Sequence, residues 1–209
     1  MPARGRSLAV ERGCRGYEHA IMSTQLSGMR VAILVEDGFE QVEMTKPREA
    51  LDEAGAETVL ISPGKEQVQG WNHDKPADTF KVDLKLEDAN PAEFDALMLP
   101  GGVQNPDKMR MNRQAVDFVR AFADSRKPIA AICHGPWMLV EANIVRGHTL
   151  TSWPSLQTDI RNAGGTWVDR EVVEDNGLVT SRKPDDIPAF NERMIALFEN
   201  ARPAKTGTR

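Results

Sequence analysis

The sequence predicts an α/β fold, a doubly wound, mostly parallel sheet with helices on both faces. Three observations predict it. Short, almost wholly apolar runs such as Arg30 to Val35 and Ile129 to Ile132 recur along the chain, as expected of strands covered on both faces. Longer segments of mixed polarity alternate with them through short connections, the pattern of strand-helix-strand units. One apolar run stops at Cys133 and is followed at once by His134-Gly135-Pro136. That is the sharp strand-to-helix turn that presents a nucleophile at the carboxyl edge of a sheet.

Taken in order, Arg30 to Val35 is the first strand and Gln41 to Ala54 a helix stopped by Gly55. Thr58 to Ser62 is the second strand. Gly64 to Leu86 is less regular and reads as a small β excursion with a loop around His73 to Asp78. Ala96 to Leu99 is a strand running into Pro100-Gly101-Gly102, and Val103 to Lys108 reads as a short polar loop. Asn112 to Ser125 is helical, Ile129 to Ile132 is the strand before the cysteine, and Trp137 to Asn143 is helical, with Pro136 suited to the first turn. Leu156 to Ala163 is a helix. Val172 to Ser181 is a hairpin, because Asp175-Asn176-Gly177 separates two β-prone runs. Asp185 to Asn200 is the last amphipathic helix.

These elements make residues 29–200 a single domain. Residues 1–28, with Arg4, Arg6, Arg12 and Arg15 and no periodicity, are expected to be a disordered arm, and either Met22 or Met29 can serve as the start. Residues 201–209 form a polar tail. The 209 residues, 40% hydrophobic and 27% charged, suit one well-buried globular domain. A net charge of -5 gives no support to a nucleic-acid role. Two cysteines, Cys14 and Cys133, cannot build a disulfide framework, which points to a reducing cytoplasm. No apolar run approaches the ~20 residues that cross a bilayer.

In sheets of this kind ligands bind beyond the carboxyl ends of the strands, where strand order reverses. Three strand ends carry unusual residues: Glu36 to Glu43, Pro100-Gly101-Gly102, and Cys133-His134. Cys133 is the candidate nucleophile. The backbone amides beside it and that of Gly102 are candidates for an oxyanion hole, with Gly101 and Gly102 allowing close approach of a substrate carbonyl. His134 is either the acid-base partner or a cap of the helix that follows. Glu40 and Glu43, three apart at a helix start, share a face, so one of them can reach the sulfur. A buried carboxyl sharing the thiol's proton has a raised pKa and favours the thiolate, so the thiol is expected well below its free value. The alternative is that these acids only complement the helix end.

At these residues the sequence resembles the ThiJ/PfpI superfamily, specifically the PfpI-type intracellular protease branch that includes bacterial stress-induced deglycases. The phrases that carry the resemblance are Asp37 to Glu43, Pro91 to Gly102, Ile132 to Pro136, Asn162-Ala163-Gly164 and Val179 to Asp186. It implies a flavodoxin-like sandwich of the class I glutamine amidotransferase-like kind, a nucleophilic cysteine, an adjacent histidine, and a glutamate hydrogen-bonded to the sulfur, matched here by Glu43. It places Glu40 in the pocket, and Trp153 where the family has a tyrosine. It implies an acid from a neighbouring subunit that orients the histidine, matched by Asp107, and hence a homo-oligomer, a dimer or a hexamer. No metal or cofactor is implied.

The expected function is a cysteine hydrolase, an intracellular peptidase or protein deglycase linked to stress, acting on peptides, glycated proteins or small molecules. The alternatives are glyoxalase-like detoxification of methylglyoxal, or a non-enzymatic redox-responsive stress protein or chaperone acting through oxidation of Cys133. Glutamine amidotransferases share the elbow but need a downstream His-x-Glu pair. The only later histidine, His148, is followed by Thr149-Leu150, and that reading fails.

Overall fold

A computed structural model describes residues 25–201. The expectations for residues 1–24 and 202–209, including Cys14 and the start at Met22, lie outside the described residues.

The chain order is β1 (Arg30–Leu34), β2 (Phe39–Glu40), α1 (Gln41–Glu53), β3 (Glu57–Ser62), β4 (Gln67–Asn72), β5 (Lys75–Lys81), β6 (Leu84–Lys85) and β7 (Ala96–Leu99). It continues through α2 (Gln104–Arg110), α3 (Arg113–Asp124), β8 (Ile129–Ile132), α4 (Pro136–Glu141), β9 (Thr149–Leu150), α5 (Gln157–Asn162), β10 (Thr166–Trp167), β11 (Val172–Asp175), β12 (Leu178–Ser181) and α6 (Ile187–Asn200). The main sheet has seven strands in the order β11-β12-β8-β7-β1-β3-β6, all pairs parallel except the edge pair β11/β12. The chain leaves β1 toward β3 on one side and returns to β7 and β8 on the other. The reversal therefore falls between β1 and β7, and it sets the carboxyl ends of β1, β7 and β8 side by side.

Alternation along the strands builds two cores. Val31, Ile33, Ala96, Met98, Ala130 and Ile132 pack with α1 and α6, through Met44, Leu51, Phe190 and Met194. Ala32, Leu34, Leu97, Leu99, Ile129 and Ala131 pack with α2 to α5, through Met109, Phe118, Phe122, Leu139 and Ile160. Helices thus cover both faces. This is why the central strands contain so few polar residues. Asn112 caps α3, its side chain accepting from the N–H groups of Gln114 and Ala115. The hairpin turn has Asn176 at φ +48° and Gly177 at φ +83°, the left-handed pair that its sequence demands.

Two expectations are corrected. Val103 to Lys108 is not a loop, because Gln104–Arg110 forms α2. Pro106 falls in its first turn, where a missing N–H costs nothing. The stretch His73 to Asp78 is not a loop either. The chain turns at His73-Asp74 and β5 begins at Lys75. β5 is exposed along most of its length, so it carries no apolar alternation to mark it. With β4 and β2 it makes a separate, three-stranded sheet.

Leu26, within the segment expected to be an arm, is fully buried, and its N–H donates to Ala54 O at 2.9 Å. Leu26→Ala is expected to lower unfolding free energy by about 2–4 kcal/mol in denaturant titrations. A loss under ~0.5 kcal/mol, the usual size for a surface substitution, would leave this residue outside the folded unit.

Candidate active site

Cys133 follows β8 directly and is held at φ +61°, in the left-handed region that branched or bulky residues avoid. Three backbone hydrogen bonds hold the turn. Cys133 N–H donates to Ser181 O (3.0 Å), Gly135 N–H to Ile132 O (2.8 Å), and Trp153 N–H to Cys133 O (2.8 Å). Gly135 is required, since a Cβ there would lie 2.5 Å from Leu99 O. The left-handed turn folds consecutive side chains toward each other, so that Cys133 Sγ and His134 Nδ1 lie 3.2 Å apart.

His134 is almost fully buried. It stacks on Trp153 (centroids 5.8 Å, 25° between planes) and packs against Trp137, and its Nε2 lies 3.4 Å from Ser155 Oγ. Burial pushes its pKa down to about 4, so the ring is neutral at pH 7 and one nitrogen can accept a proton.

Glu43, in the first turn of α1, is completely buried. Gly101 makes room for it. A Cβ at that glycine would lie 2.4 Å from Glu43 Oε2 and 2.5 Å from Cys133 Cβ. Neither carboxyl oxygen has a hydrogen bond of ordinary geometry, although the Cys133 thiol and the N–H groups of Gly102 and Gly101 are close enough to influence its titration. Burial, reinforced by the charge of Glu40, pushes Glu43 up to about 8. A neutral carboxyl cannot complement a helix end electrostatically, so the helix-end alternative loses its charge term.

The thiol does not follow the sequence expectation. Cys133 is only 6% exposed, and burial together with the Glu43 carboxyl, when ionised, pushes its pKa up rather than down. The N–H groups of Gly102 and His134 oppose this, and they face the sulfur as oxyanion donors would. The helix after the elbow, α4, is only six residues long and is a weak source of positive potential. With Glu43 protonated, the carboxyl's repulsion of a thiolate is removed. The two groups are therefore coupled, and loss of the Glu43 proton makes loss of the thiol proton harder.

Glu40 lines the same cavity but reaches away from the sulfur. Its carboxylate accepts from the N–H of His73 at 3.0 Å. Gly102 sits at φ +80°, with Gly38 O 2.4 Å from where a Cβ would be. Trp153, 39% exposed, forms one wall. Asp107 is exposed on α2, and its carboxylate has no partner among the described residues. Its distance from His134 of the same chain is bridged by no contact.

Sequence reasoning missed Asn105. Fully buried, it donates to Pro100 O and Gly101 O (3.0 Å each) and accepts from Glu36 N–H (2.7 Å). It ties the ends of β7 and β1 together beneath the glycine pair. The only signal was a polar residue within Gly102 to Met109, and nothing local marked it as buried. Among the described residues no group of three or more histidine, cysteine or acidic side chains could hold a metal ion, and no helix is long and apolar enough to cross a membrane.

The DJ-1/PfpI family pattern matches residues 29–197. "Protein/nucleic acid deglycase 2" of Escherichia coli is 41% identical over 170 residues, 81% of this chain and 97% of that one. "General stress protein 18" of Bacillus subtilis is 41% identical over 82% of this chain and 99% of its own. Among solved structures, Drosophila melanogaster DJ-1beta superposes with a TM-score of 0.73 at 25% identity, covering 83% of this chain and 95% of that one.

The Glu43 carboxyl carries a stability cost with a defined sign. Its pKa rises from 4.5 to about 8 on folding, so the fold is unpenalised below pH 4.5 and loses stability as pH rises toward about 8. At pH 7 the cost is on the order of 3 kcal/mol. Glu43→Gln should therefore melt above the wild type at pH 7 and with it at pH 4. Equal melting temperatures at both pH values would show that the carboxyl is not buried as a neutral acid.

Proposed function

The chain belongs to the DJ-1/PfpI family, and from that premise we propose that it is a cysteine-dependent hydrolase, a deglycase or peptidase serving a stress response in the cytoplasm. The observation that carries this reading is the contact of 3.2 Å between Cys133 Sγ and the ring of a buried histidine, with a buried carboxyl beside the thiol. Relatives named as deglycases, at 41% and 42% identity, favour removal of a glycation adduct over cleavage of a peptide bond.

In this mechanism, for an amide whose carbonyl carbon carries the leaving amine, His134 accepts the thiol proton and the Cys133 sulfur adds to that carbon. On a methylglyoxal hemiaminal the sulfur instead replaces the amine at the carbinol carbon, and the hemithioacetal isomerises by proton transfer to a thioester that water then cleaves. The oxyanion forms beside the Gly102 and His134 N–H groups. His134 returns its proton to the departing amine. Water, deprotonated by the same ring, then attacks the carbon bound to sulfur and frees the thiol. Glu43 is protonated in the resting site, which keeps a second negative charge away from the sulfur, and it gives up and recovers that proton during turnover. Asp107 enters as the partner subunit's Asp107, which would orient His134 through Nε2. The working unit would then be a homo-oligomer, a dimer or a hexamer of dimers.

The decisive experiment assays wild type, Cys133→Ser and Glu43→Gln in parallel on a glycated amino acid, a peptide and methylglyoxal. Deglycation should dominate, Cys133→Ser should abolish it, and Glu43→Gln should lower kcat/KM by about 10²–10⁴-fold. Dominant turnover of methylglyoxal would replace this reading with the glyoxalase one, and no turnover of any substrate would sustain the redox reading. The shared site is tested by subunit exchange. Mixed Cys133→Ser and Asp107→Ala chains should regain activity that neither has alone, and no recovery after verified exchange would remove Asp107 from the mechanism.

A further inference from the structure

A second cavity, of about 620 Å³ against about 450 Å³ above Cys133, lies at the opposite edge of the main sheet. Its floor is apolar, with Ile129 at the start of β8, Leu178 at the start of β12, and Ile144. Its rim carries Arg126, Lys127 and His148, and no carboxylate lines it. The strand β8 separates it from the nucleophile by about 13 Å, at ~3.3 Å per residue.

The charge on this rim is not neutralised. The Arg126 side chain makes no hydrogen bond or ion pair among the described residues. The Lys127 ammonium donates to the carbonyls of Pro91, Ala92 and Phe94, which are neutral, so its charge is not offset. His148 Nδ1 is buried without a hydrogen-bond partner. The Asp175 carboxylate, 3.9 Å from that nitrogen, already accepts from Thr149 N–H and the Asn176 side chain. Arg126 also stands where glycine is the ordinary residue. Helix α3 ends with Arg126 N–H donating to Ala123 O (2.9 Å) and Lys127 N–H to Phe122 O (2.8 Å), the paired hydrogen bonds of a left-handed helix stop. Arg126 takes φ +55° there, a conformation that glycine adopts without strain.

We propose that this cavity binds a small amphipathic carboxylate, its headgroup on Arg126 beside His148 and its hydrocarbon tail along Ile129, Ile144 and Leu178. A guanidinium with no partner offers a carboxylate two parallel N–H donors. The Lys127 charge adds attraction, and the volume is that of an ordinary small-molecule site. A cation with the same tail meets repulsion from Arg126 and Lys127. An anion without a tail leaves the apolar floor in water. The site uses none of the chemistry at Cys133.

Isothermal titration calorimetry of the full chain with octanoate, octyltrimethylammonium and acetate tests the site. Octanoate should bind about tenfold or more tighter than octyltrimethylammonium, and about a hundredfold or more tighter than acetate. Arg126→Gly should weaken octanoate binding about tenfold without lowering the melting temperature, because glycine suits the helix stop. Arg126→Glu should weaken binding further. Cys133→Ser should leave it unchanged, which separates this cavity from the one above the nucleophile. Equal affinities for octanoate and octyltrimethylammonium, or octanoate binding that Arg126→Glu leaves intact, overturn the proposal. Loss of octanoate binding in Cys133→Ser, or no binding to the wild type at millimolar concentration, overturns it equally.

Discussion

The site depends on the left-handed backbone of Cys133. A non-glycine residue in that region costs on the order of 1–3 kcal/mol and persists only where its surroundings fix it. Here β12, the end of β7 and the segment before α5 do so, through Ser181 O, the carbonyls crowding Gly135, and Trp153 N–H. Removing the strain would return consecutive side chains to divergent directions and separate the sulfur from His134 Nδ1. The seven-stranded order matters for the same reason. It makes β1, β7 and β8 neighbours, so Glu43, the Gly101-Gly102 pair and Cys133 meet at one edge.

Around that turn the protein accepts a stability cost. An ionisable carboxyl is buried without hydrogen-bond partners, against a thiol that is itself almost fully buried. Burial raises both pKa values, the charge of Glu40 adds to the rise at Glu43, and an ionised Glu43 adds to the rise at the thiol. The outcome is a site that keeps both the carboxyl and the thiol protonated near neutral pH and places a neutral imidazole within reach of the thiol proton. Sites of this kind are local conflicts that the rest of a well-packed fold sustains. The two cores on either face of the sheet supply that support, and Asn105 transmits it to the glycine pair.

Much of this was legible in the sequence, and the reasons are physical. Strands β1, β7 and β8 are apolar on both faces, so their runs stand out. Asn176-Gly177 permits little besides a tight hairpin turn. Cys133-His134-Gly135-Pro136 fixes an elbow because glycine tolerates the crowding and proline suits the helix start. Helix α2 was hidden, since its buried residues are Asn105, Pro106 and Met109 and two of the three look like loop chemistry. β5 was hidden because both its faces are largely wet. Glu40 and Glu43 looked equivalent at a spacing of three. Their roles diverge because Glu40 ends a strand and turns to His73, while Glu43 enters the helix and points into the core. The thiol's pKa runs opposite to the sequence expectation because the effect of burial outweighs the N–H groups of Gly102 and His134 that oppose it.

The claim at the centre of this account is that Glu43 holds a proton beside Cys133 at neutral pH. Infrared difference spectroscopy across a pH titration measures it most directly, by comparing wild type with Glu43→Gln. The account predicts a protonated-carboxyl stretch at pH 7 that fades with a midpoint near about 8 and is missing from Glu43→Gln. A wild-type spectrum at pH 7 with no such band, or a band that survives in Glu43→Gln, would contradict it.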